Sequence, residues 1–278
     1  MAGQVDELSQ FRAVIFDWAG TTVDFGSRAP MGAFVEIFAR FGVAISIAQA
    51  RGPMGLPKRD HIAALMADPG VAARWIDAHG APAREDDIDA VYEQFIPLNA
   101  SVVADYADLI PGLLSVVATL RAAGLKIGST TGYTRDIMAR LTPVAAEAGY
   151  QPDNLVCAGD LVAGRPTPLM MYRCFADLGV YPPWRVAKVD DTAPGIAEAV
   201  AAGAWAIGVT LSGNGCGLTP DELAALSSEE REAIRARVAA ELIGAGAHAT
   251  IDTVADLAPA LTAIGARIGE GERPRQAG

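Results

Sequence analysis

Apolar positions along the chain fall into two alternating patterns. Short, largely apolar runs recur at Ala13–Phe16, Leu125–Thr130, Asn154–Cys157, Val186–Asp190 and Trp205–Thr210. They have the length and the β-branched and aromatic content of buried strands. Between them lie Leu113–Ala123, Thr134–Ala148, Pro168–Leu178 and Pro194–Ala202, whose apolar residues recur every three to four positions, the period of a helix with one buried face. Strand and helix taking turns at this spacing predict right-handed crossovers. The expected fold is α/β, a doubly wound, Rossmann-like parallel sheet with helices on both faces.

The alternation is interrupted once. No strand-like run occurs from residue 30 to 105, where Met31–Phe41 puts Phe34, Ile37, Phe38 and Phe41 on one face and Arg59–Met66, Val71–Ala78 and Asp87–Val103 continue the helical period. This predicts an all-helical cap domain of roughly 75 residues inserted after the first strand. The expected division is 1–26 and 106–268 as catalytic core, 27–105 as cap, and 269–278, rich in Gly, Arg and Glu, as a flexible tail. Within the core, residues 219–244 read as a polar helical stretch, Ala249–Ile251 as an edge strand and Val254–Ile264 as a last helix.

With 278 residues, 51% hydrophobic and 20% charged, the composition is that of a soluble globular protein with a full core. A formal net charge of -11 argues against nucleic acid or an anionic membrane as partner, so an anionic substrate must meet local positive charge. Residues 1–10 carry two acids and lack the basic and apolar regions of a signal peptide, and no run approaches the ~18 apolar residues of a membrane span. A cytoplasmic protein is expected. Cys157, Cys174 and Cys216 are widely spaced without a CxxC pair, which suggests buried thiols, not a disulfide framework or zinc site.

Chemistry collects at the strand ends, where open parallel sheets place their ligand crevice. Asp17 ends the first strand, Thr131 the second, Arg165 follows the third, and Asp190 and Asp191 end the fourth. A lone acid after a strand reads as an Asx-type turn. Together, however, the residues offer a nucleophilic carboxylate, a hydroxyl donor, a guanidinium and a second carboxylate for a divalent cation, a set suited to phosphoryl transfer onto Asp.

Asp17-Trp-Ala19-Gly-Thr-Thr, Ser129-Thr-Thr131-Gly, Gly164-Arg165-Pro-Thr-Pro168 and Asp190-Asp191-Thr resemble, in order, the four motifs of the haloacid dehalogenase superfamily, over residues 11 to about 211. The resemblance implies Asp17 as covalent nucleophile, Asp191 as a Mg2+ ligand, Thr131 as a phosphoryl hydrogen-bond donor and Arg165 in a place more often held by Lys. Two departures stand out. Where the superfamily's phosphatases carry an acid that protonates the leaving oxygen, this chain has Ala19, which could still offer its backbone carbonyl to the metal. Gly195 stands where an acid is expected after the fourth motif, so Asp190 is taken to supply that carboxylate to the metal.

Within the helical insertion, residues 51–61 run Arg-Gly-Pro-Met54-Gly-Leu-Pro-Lys58-Arg-Asp-His61, a Gly/Pro-rich turn entering a helix. Only three of the 22 basic residues are lysines, Lys58, Lys126 and Lys188. Arg satisfies a need for charge, but only an amine condenses with a carbonyl. By residue type alone Lys58 is equally a solvated lysine at a helix start.

Phe16-Asp-Trp-Ala-Gly-Thr-Thr-Val-Asp24, Pro53-Met-Gly-Leu-Pro-Lys58-Arg-Asp-His61 and Ile127-Gly-Ser-Thr-Thr-Gly-Tyr-Thr134 closely resemble the phosphonatase branch of the superfamily. That branch cleaves the carbon–phosphorus bond of phosphonoacetaldehyde in 2-aminoethylphosphonate degradation. The resemblance implies an imine on Lys58, an aspartyl phosphate on Asp17, Met54 lining the amine, and a homodimer, with Met31, Phe34 and Phe38 as its suggested face. His61 could shuttle the Lys58 proton or be a surface residue; Tyr133 could close over substrate or pack under the cap. Lys58 must lose its proton near neutral pH, and burial and the adjacent Arg59 are expected to favour this. Lys126 reads as solvated, Lys188 as charge balance, and Thr21 and Thr22 as turn formers. The competing readings are an ester phosphatase or phosphomutase of the same superfamily, which Ala19 opposes, and a phosphoacceptor signalling module, which the cap opposes.

Overall fold

The computed structural model describes residues 7–274. Six strands form one parallel sheet: β1 (Ala13–Phe16), β2 (Lys126–Thr131), β3 (Val156–Cys157), β4 (Val186–Asp190), β5 (Trp205–Val209) and β6 (Ala249–Ile251), in the order β3-β2-β1-β4-β5-β6. All pairings are parallel. The central strand β1 is wholly buried, which is why it reads as a continuous apolar run with no polar alternation. Alternate residues face opposite layers: Val14 and Phe16 join the core with Leu120, Ile137 and Leu261, while Ala13 and Ile15 join Met170, Met171 and Cys174.

The helical insertion follows β1: α1 (Ala29–Arg40), α2 (Ile47–Arg51), α3 (Lys58–Ala67), α4 (Pro69–His79) and α5 (Glu85–Val102). It builds its own core from residues including Met31, Phe34, Ile37, Phe38, Ile62, Leu65, Trp75, Val91 and Phe95. Phe34 is stacked between His61 and Phe95, with ring centroids 4.0 and 4.2 Å away. This corrects the suggested dimer face: Met31, Phe34 and Phe38 are buried inside the protomer. The periodicity did not disclose α2, whose five residues span little more than one turn and depend on a Ser46/Gln49 capping box.

The chain returns through α6 (Leu113–Ala122), α7 (Arg135–Glu147), α8 (Leu169–Leu178) and α9 (Ala193–Ala201), each between successive strands or leading into one. Residues 219–244 are two helices, α10 (Pro220–Ala225) and α11 (Ser228–Gly244), because Thr219 and Ser227 each start a capping box. The last helix, α12, covers Leu257–Gly269. In the segment from 269, residues 269–273 are exposed, with Arg267 pairing with Glu272 at 2.5 Å and the Arg273 guanidinium 3.8 Å from the Trp184 ring centroid. Residues 275–278 lie outside the described residues. Cys157 and Cys174 are buried as expected, but Cys216 is only half-buried.

Candidate active site

Because neighbouring parallel strands stop together, four strand ends share one cleft. Asp17 N donates to Val189 O at 3.0 Å, continuing the ladder, and the chain then folds back so that the N–H groups of Thr21, Thr22 and Val23 all reach Trp18 O. Thr22 Oγ1 donates to Asp17 O at 3.1 Å, the turn-forming role expected of it. Thr21 does more, reaching Asp191 Oδ1 at 3.3 Å. The bonds of the turn run to Trp18 O, Val23 O and Asp24 O and leave the Ala19 carbonyl outside them.

Carboxylate oxygens of Asp17, Asp190 and Asp191 lie within 4.8 Å of one another, all buried. Arg165 Nη2 donates to Asp17 Oδ1 at 2.7 Å and lies 3.1 Å from Asp190 Oδ2, and Lys188 Nζ is 3.2 Å from the same Asp190 oxygen. Asp190 Oδ1 accepts from Thr192 N and Oγ1 at 3.0 and 2.7 Å. A Cβ on Gly195 would collide with this carboxylate. The space for an acid at 195 is therefore the space that Asp190 fills from the strand.

Burial, then the Asp190 charge, pushes Asp17 up to about 6 against the pull of Arg165 and Lys188. Burial and the neighbouring Asp17 and Asp190 push Asp191 well above the ordinary carboxylate range. Against its own burial, Asp190 is held low by Arg165 and Lys188. Asp17 and Asp191, two acids that resist ionising side by side and offer hard oxygen donors, fit a divalent cation between them.

The other half of the cleft comes from the insertion. Lys58, first residue of α3, is 2% exposed. Its Nζ lies 3.7 Å from Met54 Sδ, 5.0 Å from the Tyr133 ring centroid and 5.6 Å from that of Phe34. Among the described residues no carboxylate is within ion-pair distance of it. Burial lowers the amine to about 8, with Asp17 opposing and Arg165 assisting. The expected helper, Arg59, does not act here: it turns outward to Asp89 and Glu85 at 2.6 and 2.7 Å. Adjacent residues on a helix point in different directions.

His61 is fully buried, which removes the surface reading. Its Nε2 lies 2.8 Å from Ala50 O, an acceptor only, so Nε2 carries the proton and Nδ1 has no partner among the described residues. Burial and the Lys58 charge push it well below 6.5, leaving the ring neutral. Tyr133 is buried beneath Lys58, and its N–H donates to Thr131 Oγ1 at 3.1 Å. With that lone pair occupied, the Thr131 hydroxyl proton remains available to the cleft.

The loop carrying Met54 and Lys58 is seated firmly on the core. At its start Arg51 donates to Gly26 O at 2.8 Å, Asn214 Oδ1 at 3.1 Å and Gly217 O at 3.1 Å. Gly55 has φ +94, and a Cβ there would strike Thr192. Asn214 also donates its N–H to Asp191 Oδ2 at 2.7 Å. A cavity of 270 Å³ lined by Arg51, Met54, Asp191, Asn214 and Arg237 opens beside these contacts.

The structure adds residues that the motifs did not disclose. Glu198 is fully buried, accepts from Thr130 Oγ1 at 2.9 Å and Arg165 Nε at 3.1 Å, and lies 3.6 Å from Lys188 Nζ. Its one trace in the sequence is that it is the single charged residue of α9. Lys188 is fully buried in these pairs, in keeping with charge balance, and Lys126 is exposed at the start of β2. Trp18 donates its indole N–H to Ser129 Oγ, fixing the turn after Asp17 to β2.

Residues 11–203 match the family model of haloacid dehalogenase-like hydrolases. The chain is 51% identical over 267 residues, 96% of this chain and 100% of the relative, to a phosphonoacetaldehyde hydrolase of Paraburkholderia phytofirmans. It is 48% identical to one of Aeromonas hydrophila, covering 97% of this chain and 98% of that protein. Its structure is similar to the crystal structure of a phosphonoacetaldehyde hydrolase-like protein from Oleispira antarctica, with TM-score 0.93, 42% identity, and 95% and 96% of the two chains covered. No helix among the described residues is long and apolar enough to cross a membrane.

Proposed function

Because the chain belongs to the haloacid dehalogenase-like hydrolase family and is similar over nearly its whole length to phosphonoacetaldehyde hydrolases, we propose that it hydrolyses phosphonoacetaldehyde to acetaldehyde and phosphate. The observation that carries this reading is the buried Lys58 amine, lowered to about 8 and facing the cleft that holds Asp17. A carbon–phosphorus bond breaks only if the departing carbon has somewhere to place its electron pair. Condensation of Lys58 with the aldehyde expels water and gives a protonated imine, which is such a sink.

Asp17 then attacks phosphorus. The carbon–phosphorus electron pair moves toward the imine nitrogen, leaving an enamine on Lys58 and an aspartyl phosphate on Asp17. Protonation of the enamine carbon and hydrolysis of the resulting imine release acetaldehyde and free the amine, and a second water releases phosphate from Asp17. Arg165 and the Thr131 hydroxyl meet the phosphoryl oxygens. A magnesium ion held by Asp17, Asp191 and the Ala19 carbonyl, with Asp190 beside them, would supply positive charge to those oxygens. No leaving oxygen needs a proton, which is consistent with Ala19 in place of an acid. Met54 and the Tyr133 ring shelter the amine from water, and neutral His61, with its bare Nδ1, is the group we assign to exchange a proton at Lys58.

Residues 27–105 act as the cap in this reading, and 1–26 with 106–268 as the core. A homodimer would use a face other than Met31, Phe34 and Phe38; light scattering tests it. The central experiment is borohydride trapping with phosphonoacetaldehyde and peptide mapping by mass spectrometry. An adduct on Lys58, absent from Lys58→Arg, is the expected result, and an adduct elsewhere or full activity in Lys58→Arg refutes the proposal.

A further inference from the structure

Beneath the phosphoryl cleft lies a second tier of charge that no step above uses. Glu198, Lys188 and Thr130 are all fully buried there. The Thr130 hydroxyl has one proton, and two of its neighbours, Lys188 Nζ at 2.6 Å and Arg165 Nη2 at 3.2 Å, can only donate. That proton must go to Glu198 Oε2, 2.9 Å away. The direction of each of these bonds is therefore fixed.

The consequence falls on Arg165. A guanidinium edge presents two parallel N–H groups and pairs preferentially with both oxygens of one carboxylate. Here Nε is taken by Glu198 at 3.1 Å, while Nη2 reaches Thr130 O at 2.9 Å and Asp17 Oδ1 at 2.7 Å. Asp17 thus receives one N–H through one oxygen, and its other oxygen is left out of the pair.

We propose that Glu198 is a positioning residue for phosphoryl transfer: by occupying Nε, it keeps the Nε–Nη2 edge of Arg165 from clamping both oxygens of Asp17 and holds Nη2 toward the incoming phosphoryl group. This rests on the hydrolase reading above and extends it to a residue that touches neither substrate nor metal. Glu198→Gln keeps the shape and removes the charge, and Glu198→Asp keeps the charge with a shorter reach.

Three measurements with magnesium test it in wild type and both variants: borohydride trapping on Lys58, phosphate release from phosphonoacetaldehyde, and orthovanadate binding by calorimetry. In Glu198→Gln, trapping should stay within about threefold of wild type while kcat for phosphate release falls about 10- to 100-fold, the scale of a misplaced catalytic group. KM should change little, vanadate binding should weaken about tenfold or more, and Glu198→Asp should recover part of both losses. Wild-type phosphate release and vanadate binding in Glu198→Gln would overturn the proposal. So would a parallel fall of trapping and release, the mark of a residue that only supports the fold. Failure of the hydrolase reading is separate: wild type itself would neither trap nor release phosphate, and the vanadate comparison would then judge Glu198 alone.

Discussion

Consider Lys58→Met, which keeps an unbranched chain of similar length against Met54, Phe34 and Tyr133 but removes the amine. Folding lowers that amine from 10.5 to about 8, so holding its proton in the folded state costs about 3–4 kcal/mol at about 1.4 kcal/mol per tenfold change. The folded value lies below the unfolded one. Between the two the unfolded chain binds more protons, so wild-type stability rises with pH from about 8 toward 10.5, and the full penalty applies below 8. The variant should therefore be inactive yet more stable at pH 7, by up to about 3–4 kcal/mol or roughly 6–10 °C in Tm. The advantage should shrink as pH rises through 8 and vanish near 10.5. Urea and thermal unfolding of both proteins across pH 6.5–10.5, without added metal, reads this directly. A variant less stable at pH 7, or a gap that stays constant to pH 10.5, would refute a proton held at a cost on Lys58.

The same amine sets the pH profile: kcat/KM for phosphonoacetaldehyde should rise about tenfold per pH unit up to about 8 and then level, and a flat profile from 6 to 9 would count against Lys58 as the attacking amine. Gly195→Asp would force a side chain into the space of the Asp190 carboxylate; phosphate release should fall about 100-fold, with recovery in the double variant Asp190→Gly/Gly195→Asp, and a fully active single variant would defeat the shared-space account. Asp17→Asn should still be trapped on Lys58 by borohydride while releasing no phosphate. Chelation by EDTA should likewise stop phosphate release, reversed by adding magnesium, and leave trapping in place.

Much of the fold was legible because burial imposes period. Val186–Asp190 was read with its observed bounds, and the helices between strands to within a residue or two, because each turns one apolar face to the sheet. The strand-end residues were legible as motifs, since strand register alone carries Asp17, Thr131 and Asp191 to one edge. What failed were statements that treated sequence neighbours as spatial ones. Arg59 follows Lys58 yet points to solvent, whereas the cation that acts on the amine, Arg165, comes from a distant loop. The apolar face of α1 was read correctly as buried but assigned to another protomer, when the insertion's own core had already used it. Glu198 and the clasp of Arg51 on Asn214 join residues 33 and 163 positions apart, and such partners become visible only when the chain is folded.

Lys58 and Asp17 approach the cleft from separate pieces of the fold, and the seating of Arg51 and Gly55 on the core sets the register between them. On the proposed mechanism the outcome is coincidence detection. A simple aldehyde would engage only the amine and inorganic phosphate only the strand ends, whereas a molecule with its carbonyl carbon one methylene from phosphorus would be gripped at both points. Cleavage of the bond between those points would leave each product with a single handhold, so the reaction itself would dissolve the grip that made it possible.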